Sequence, residues 1–363
     1  MKTYSVIGIM SGSSMDGVDL AHCKITSDNG HYTYSIEESE TFEYDEIWRL
    51  RLSQIRKADS LAYTKTDVFY GHYLGHLVNK FIAKYNLKID LVASHGHTVF
   101  HYPEEMITRQ VGDGASLSAI CKLPVVSDFR SMDVAKKGQG APLVAIGDQL
   151  LFNEYDFCLN LGGFANISGK IAEFRVSFDI CPANILLNRV ARDLNQDYDH
   201  DGEIAGQGSI NYKLLEALNE IDYYAMPFPK SLNRDWINNE LWQIVKEGEK
   251  LSPQDKMKTF VDHIGIQISK SLDYLSRKEP AGKKVLVTGG GAFNKVLMDH
   301  IRTHSPVEFI VPDEKLVKFK EALIFALMGV LRIENKVNIV KTFTGAKSDS
   351  ISGRLDGDFS GLI

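Results

Sequence analysis

Three short stretches of this 363-residue chain put glycines, hydroxyls and carboxylates where an anionic oxygen can be held. Ser11-Gly12-Ser13-Ser14-Met15-Asp16-Gly17 follows the apolar run Ser5 to Met10, and such a turn aims several main-chain N–H groups at one point. A nest of that kind suits an anion, and the hydroxyls add donors. It is not a Walker loop, because no Gly-Lys-Ser/Thr follows and no helix opens directly after it. Taken alone it also fits an ordinary hairpin loop. Asp16 would repel phosphate unless a metal ion or a lysine intervenes, or else it caps turn amides. Donors paired with a carboxylate are what a magnesium-nucleotide site requires. Leu161-Gly162-Gly163 and Thr288-Gly289-Gly290-Gly291 offer a second and a third small-residue approach. Three glycines in a row after a strand exceed the needs of a turn and let a flat or bulky group lie against backbone.

A histidine cluster, His95, His97 and His101, raises metal binding as a separate chemistry. Strand alternation puts His95 and His97 on one face, where both can reach one ion. Hydrogen bonding to substrate or to neighbouring polar groups is the competing role. The four cysteines, Cys23, Cys121, Cys158 and Cys181, form no CxxC pair, so a zinc ribbon or a disulfide scaffold is not expected and a reducing cytoplasm fits.

Stepping outward, the elements that must position these groups alternate in period. Ser5–Met10 and Val18–Ile25 bracket the first turn as a β-hairpin, with Tyr32 to Phe42 as a third antiparallel strand. From Asp67 to Tyr85 the residues Leu74, Leu77, Val78, Phe81, Ile82 and Tyr85 fall at helical spacing. Strands are expected at Asp90–His95 and Pro124–Ser127, with a helix over Ala115–Cys121 between them. The same grammar restarts at Asp156–Leu161, Phe164–Ser168 and Glu173–Phe178. Helices follow near Ala183–Leu194 and Phe260–Leu275, strands at Lys284–Thr288 and Glu308–Val311, and a helix over Lys318–Ile333. Two rounds of hairpin and then alternating α/β predict two pseudo-duplicated domains around a cleft.

Composition narrows the function classes. A 44% hydrophobic and 24% charged chain is ordinary for a globular protein and not for a disordered one. No apolar run nears the roughly 18 residues of a membrane span, so no membrane role is expected. Forty-one Lys and Arg against 47 Asp and Glu give a net charge of −6, which gives no global attraction to nucleic acid. The N-terminus lacks the apolar segment of a secretory signal and reads as cytoplasmic.

Gly8-Ile9-Met10-Ser11-Gly12-Ser13-Ser14-Met15-Asp16-Gly17-Val18-Asp19 closely resembles the N-terminal signature of the anhydro-N-acetylmuramic acid kinases. The likeness continues through Ser94–His101, Gln110–Gly114, Asp128-Phe129-Arg130, Gly138–Leu143, Asn160–Ile167 and Phe178-Asp179. It then runs through Lys230-Ser231, Gly289–Asn294 and Lys320-Glu321-Ala322, in order along almost the whole chain. The resemblance implies an α/β chain of two actin-like ATPase (ribonuclease H-like) domains, here placed at 1–128 plus 338–363 and at 129–337. It implies ATP and Mg2+ as partners, an amino-sugar substrate, and a homodimer. The reaction it implies is one in which water opens the 1,6-anhydro bridge of anhydro-N-acetylmuramic acid and the freed O6 takes the γ-phosphoryl group, giving MurNAc 6-phosphate for peptidoglycan recycling. A chaperone-like or otherwise non-sugar ATPase of the same superfamily is the alternative.

Carried over residue by residue, the resemblance makes Asp179 the base that deprotonates water. It ends an apolar strand, where partial burial raises a carboxyl pKa, and capping of the helix near Pro182 is its alternative role. ATP falls to Ser11 through Gly17, Gly162, Gly163, Gly289, Gly290, Gly291 and Asn294. Arg130 is expected to grip the lactyl carboxylate with its guanidinium fork, or to pair with Asp128 or Asp133. His97, Thr98, Gln110, Asp113 and Asn184 are assigned to the sugar. Glu321, at a helix start, is assigned to the magnesium shell through water.

The chain departs from the family pattern in three places. The usual Thr-Gly-Pro-Gly-Asn is Ile180-Cys181-Pro182-Ala183-Asn184 here, so the loop either needs no positive φ or has shifted. Cys181 is then a small apolar substitute or a reactive thiol. His97 stands where the family usually carries Gln, and Leu232-Asn233-Arg234-Asp235 only approximates the block after Lys230-Ser231.

Overall fold

A computed structural model describes residues 1–362 apart from Ser13, Ser14, Asp16, Ala172, Glu173, Gly248, Glu249 and 278–281, with the backbone alone at Glu247. The assignments of Ser13, Ser14 and Asp16 to ATP therefore lie outside the described residues.

Twelve strands are formed by the described residues. They are β1 (Lys2–Ser11), β2 (Gly17–Asp28), β3 (His31–Glu43), β4 (Leu91–Tyr102), β5 (Ile107–Val111), β6 (Val125–Ser127), β7 (Phe157–Leu161), β8 (Phe164–Ile171), β9 (Phe174–Pro182), β10 (Lys284–Thr288), β11 (Glu308–Ile310) and β12 (Arg354–Asp356). The chain divides into two compact units, Met1–Phe152 with Phe319–Ile363, and Asn153–Lys318.

The first unit holds a seven-stranded sheet in the order β12-β6-β4-β1-β2-β3, with β5 on β4. β1, β2 and β3 are antiparallel neighbours, whereas β4 runs parallel to β1 and β6 parallel to β4. The centre of β1 is apolar without alternation because both faces are covered. Ile7, Ile9 and Val92 pack on Tyr70, Leu74 and Val78 of the helix Ser60–Tyr85. On the opposite face the helix Glu314–Ile333 comes so close that a Cβ at Gly8 would lie 1.8 Å from the Ala322 carbonyl oxygen. Only glycine permits that approach. The helix starting at Ser60, earlier than the periodicity indicates, is capped by Asp59, whose carboxylate accepts from the Ala62 amide.

The second unit repeats the local order with a five-stranded sheet, β11-β10-β7-β8-β9. β7, β8 and β9 are antiparallel, and β10 and β11 continue in parallel from β7. Leu159, Ile167, Phe178 and Val287 pack with Phe260, Ile264 and Ile268 of the helix Pro253–Leu275. That helix begins seven residues before Phe260, with Ser252 as its cap and Pro253 in its first turn.

The unit boundaries differ from those expected at 128/129 and 337/338. Residues 129–152 and 319–337 belong with the first unit. The reason is packing that no local period announces. Ile324 fills the space over Gly147, Gly329 lies on Ala93, and Lys320 forms a buried ion pair with Asp148 at 2.7 Å.

Candidate active site residues in the two units

In the first unit, β1 ends at Ser11 and β2 begins at Gly17, with Met10 opposite Asp19. The Ser11 hydroxyl does not point into the turn. It is buried and bonded to the Tyr44 hydroxyl (2.6 Å), the Tyr70 hydroxyl (2.9 Å) and His97 Nδ1 (3.1 Å). Burial raises the Tyr44 hydroxyl to about 12 and Tyr70 well above its ordinary value, so both stay protonated. Ser11 therefore anchors the turn through its side chain, which corrects the expectation that this hydroxyl is an anion donor. Met15 adopts φ +62 and its amide donates to the Gly12 carbonyl at 3.5 Å.

The shared-face expectation for His95 and His97 fails at Gly96. That residue sits at φ +72, in the left-handed region, and reverses the alternation of β4. His95 stacks against Phe325 of the helix Glu314–Ile333, while His97 meets Tyr70 of the helix Ser60–Tyr85 on the other face. Among the described residues no group of three or more His, Cys, Asp or Glu is placed to hold a metal. His95 instead serves Arg130, accepting from its Nε at Nε2 (2.9 Å) while Nδ1 pairs with the Gly96 carbonyl at 2.8 Å. Burial and then the Arg130 charge hold His95 well below its usual value, so it stays neutral and keeps that accepting nitrogen.

Arg130 also donates from Nη1 to the Gly140 carbonyl. The Gly140 amide in turn donates to buried Asp133 (2.8 Å), which accepts from Thr344 as well. The guanidinium is thus oriented by His95 and the Gly138–Gly140 loop. Asp133, the alternative partner considered for Arg130 alongside Asp128, shapes that loop and so bears on the guanidinium through the Gly140 amide. Thr98 and Gln110 are cross-strand neighbours on β4 and β5, both half-buried, with Gln110 Nε2 donating to Thr108 at 2.9 Å. Asp113 has another duty. Its carboxylate caps the helix Gly114–Cys121, accepting from the Ser116 amide (2.8 Å) and hydroxyl (2.7 Å).

Glu321 is not at a helix start. It lies in the third turn of the helix Glu314–Ile333, so the helix dipole does not account for it. Burial raises its carboxyl pKa, the charge of Asp19 raises it further, and Arg130 and Lys320 oppose the rise. Asp19, on β2, accepts from the Thr41 hydroxyl at 2.6 Å. The charge interaction between Asp19 and Glu321 was missed by sequence reasoning. The legible signal was the alternation of β2 counted from Gly17, but its partner lies more than 300 residues on. Two carboxylates suit a hard divalent cation that keeps most of its waters, so the donor set fits magnesium.

In the second unit, Asp179 occupies β9 at a β-bulge. The register steps from Asn166–Asp179 to Ala165–Cys181, leaving Ile180 as the extra residue. Bulges re-aim the flanking side chain and recur beside active sites. Asp179 is buried, with Oδ2 accepting from the Leu232 amide at 2.9 Å. The altered loop after it needs no left-handed residue, because Ala183 sits at φ −124. The Ala183, Asn184 and Ile185 amides bond the Gly162 and Gly163 carbonyls, and Asn184 Nδ2 donates to the Leu161 carbonyl at 2.9 Å. Cys181 is fully buried and its thiol is pushed far up by burial, so it is a packing residue and not a nucleophile.

The triple-glycine turn separates by role. A Cβ at Gly289, which sits at φ +83, would stand 2.6 Å from Asn160 Oδ1 and 2.7 Å from the Leu161 backbone, and one at buried Gly291 2.8 Å from Leu161. Exposed Gly290 has nothing nearer than 3.7 Å, so it is the position that leaves backbone open to a ligand. Asn294 is buried and caps the helix Lys295–His304, accepting from the Leu297 amide at 2.9 Å. Like Asp113, its side chain is committed to a helix end.

A family profile described as anhydro-N-acetylmuramic acid kinase matches residues 4–356. An anhydro-N-acetylmuramic acid kinase of Pelagibacter ubique is 34% identical over 98% of this chain and 98% of its own length. One from Francisella tularensis subsp. novicida is 31% identical over 96% of this chain and 98% of its own. The activator of the 2-hydroxyisocaproyl-CoA dehydratase from Clostridium difficile, solved with bound ADPNP, is similar at a TM-score of 0.41 and 16% identity over 90% of this chain and 94% of that one, a level that carries no functional weight. The two sequence relatives are kinases matched along nearly their full length, and the chain belongs to the anhydro-N-acetylmuramic acid kinase family.

Proposed function

We propose that the chain is an ATP-dependent kinase that opens the 1,6-anhydro ring of anhydro-N-acetylmuramic acid and phosphorylates O6, yielding MurNAc 6-phosphate and ADP. The observation that carries the reading is the presentation of Asp179: a buried carboxylate at a bulge, fixed by a main-chain amide, in a chain matched to the family from residue 4 to 356. Asp179 takes a proton from water as the water oxygen bonds the anomeric carbon and the C1–O6 bond breaks. O6 then attacks the γ-phosphorus and ADP leaves. In-line transfer needs positioning and charge neutralisation more than covalent help from the protein.

Arg130, oriented by His95, supplies the fork for the lactyl carboxylate, with Thr98, Gln110 and His97 as polar contacts to the sugar. The turn Gly12–Gly17, Gly162, Gly163 and Gly290 offer backbone to the nucleotide. Asp19 and Glu321 would hold magnesium, which when bound neutralises charge on the transferring phosphates. The identical order of three antiparallel and two parallel strands in each unit supports two actin-like ATPase domains of ribonuclease H-like topology. We also infer a cytoplasmic homodimer; among the described residues no helix is long and apolar enough to cross a membrane.

The test is ATP turnover with and without the anhydro-sugar. ATP consumption that requires the sugar and forms MurNAc 6-phosphate is expected. Turnover indifferent to sugar but stimulated by unfolded peptide would favour the non-sugar ATPase instead, a reading the family match does not support.

A further inference from the structure

We propose that Tyr223 is a positioning residue for Asp179, acting with Lys230 through a segment, 223–232, that bonds the amide, the carbonyl and Oδ2 of the aspartate. This rests on the reading of Asp179 as the base. Asp179 lies on β9, at the edge of the second sheet, where among the described residues one side of the backbone has no neighbouring strand. The segment 223–232 takes that place. The Asp179 amide donates to the Lys230 carbonyl at 3.1 Å, the Tyr223 hydroxyl donates to the Asp179 carbonyl at 2.7 Å, and the Leu232 amide donates to Oδ2 at 2.9 Å.

Lys230 locks the segment into that shape. Its ammonium donates to the Tyr223 carbonyl (2.9 Å) and the Tyr224 carbonyl (3.4 Å), and stands 4.6 Å from the centroid of the Tyr223 ring and 5.8 Å from that of Phe178. Phe178 precedes Asp179 and stacks on Phe228 of the same segment, with rings 5.8 Å apart and 8° from parallel. Burial keeps the Tyr223 phenol protonated, so it remains a donor throughout the working pH range. A carboxylate that must meet a water within hydrogen-bond reach loses rate steeply when its frame loosens. Tyr223 touches no reacting atom in this scheme; its effect passes through the main chain of Asp179.

The experiment compares Tyr223→Phe, Lys230→Met, Tyr224→Phe and Asp179→Asn by steady-state kinetics across pH. Tyr223→Phe deletes one oxygen; it is expected to lower kcat about tenfold, with both KM values within about twofold of wild type. The acid limb of the kcat profile should move to higher pH, because a weakened amide bond to Oδ2 stabilises the carboxylate less. Lys230→Met carries the same expectation and stands in if Tyr223→Phe does not fold. Tyr224→Phe is the control, since that phenol bonds His263 and not Asp179, and its kcat should match wild type. Wild-type kcat and pH profile in both Tyr223→Phe and Lys230→Met, with Asp179→Asn inactive, would overturn the positioning role alone. An active Asp179→Asn would instead overturn the reading of Asp179, and the positioning role with it.

Discussion

The main-chain amide of Leu232 meets Oδ2 of Asp179 at 2.9 Å, joining residues 53 positions apart in the chain. An amide donor of this kind favours the ionised carboxylate that a general base requires. Asp179→Asn keeps the size of the side chain and removes its basicity. Sugar-dependent phosphoryl transfer should fall at least ~10²-fold, the scale of losing a general base, while ATP binding measured by calorimetry stays near wild type. Near-normal turnover would take Asp179 out of the mechanism.

Gly289 and Gly290 should respond oppositely to the same substitution. At Gly289 a methyl would sit 2.6 Å from Asn160 Oδ1 on a backbone at φ +83. Gly289→Ala is expected to cost about 1–3 kcal/mol of stability. Gly290→Ala meets only Asn184 Nδ2, at an ordinary contact distance of 3.7 Å, so its stability should stay within about 0.5 kcal/mol of wild type while its affinity for ATP drops. Denaturant midpoints and nucleotide titrations separate the two effects; an undiminished affinity in Gly290→Ala would remove that glycine from the nucleotide's path.

Arg130 is held by His95 Nε2 and the Gly140 carbonyl, a geometry built around a planar fork. Lysine keeps the charge and loses the fork. Arg130→Lys should raise the KM for the anhydro-sugar about tenfold or more and leave the KM for ATP nearly unchanged. A sugar KM equal to wild type would mean that another group takes the lactyl carboxylate.

His263 supplies a pH-dependent stability term. Its imidazole is enclosed between Asn219 Oδ1 (2.8 Å) and the Tyr224 hydroxyl (2.9 Å), and burial pulls its pKa down to about 3. In the unfolded chain the same ring takes up a proton near pH 6.5. The unfolded state therefore binds the extra proton below that pH, and stability falls as pH drops from about 6.5 toward 3. At pH 5 this one group accounts for about 2 kcal/mol. Urea unfolding at pH 7.5 and pH 5.0 should show His263→Gln losing about 2 kcal/mol less on acidification than wild type, whatever its starting stability. Equal losses in the two proteins would show that His263 is not the titrating group.

Local patterns carried much of the fold. The β-hairpin around Ser11–Gly17 and its counterpart at Leu161–Gly163 were legible because apolar runs on either side of small residues allow little else. The helix expected at Ala115–Cys121 and the period from Phe260 to Leu275 were legible, although the second helix begins at Pro253; Asp179 was placed on the right strand, but β9 continues past it to Pro182 instead of ending there. Side-chain duties were less legible. Asp113 and Asn294 resemble ligand residues in sequence, yet each closes a helix N-terminus, and Ser11 turns its hydroxyl inward to Tyr44, Tyr70 and His97.

What the chain by itself determined, then, was its succession of elements, its loops of small residues, and through its ordered motifs its family. Those properties are set within a few residues of one another, by side-chain period and backbone preference. The tertiary structure alone decided which groups work together: the separation of His95 from His97 by one left-handed glycine, the nearness of Glu321 to Asp19, and the seating of Asp179 against Tyr223, Lys230 and Leu232. The last two depend on segments tens to hundreds of residues apart being packed together, the first on one φ angle, and no short-range period encodes either.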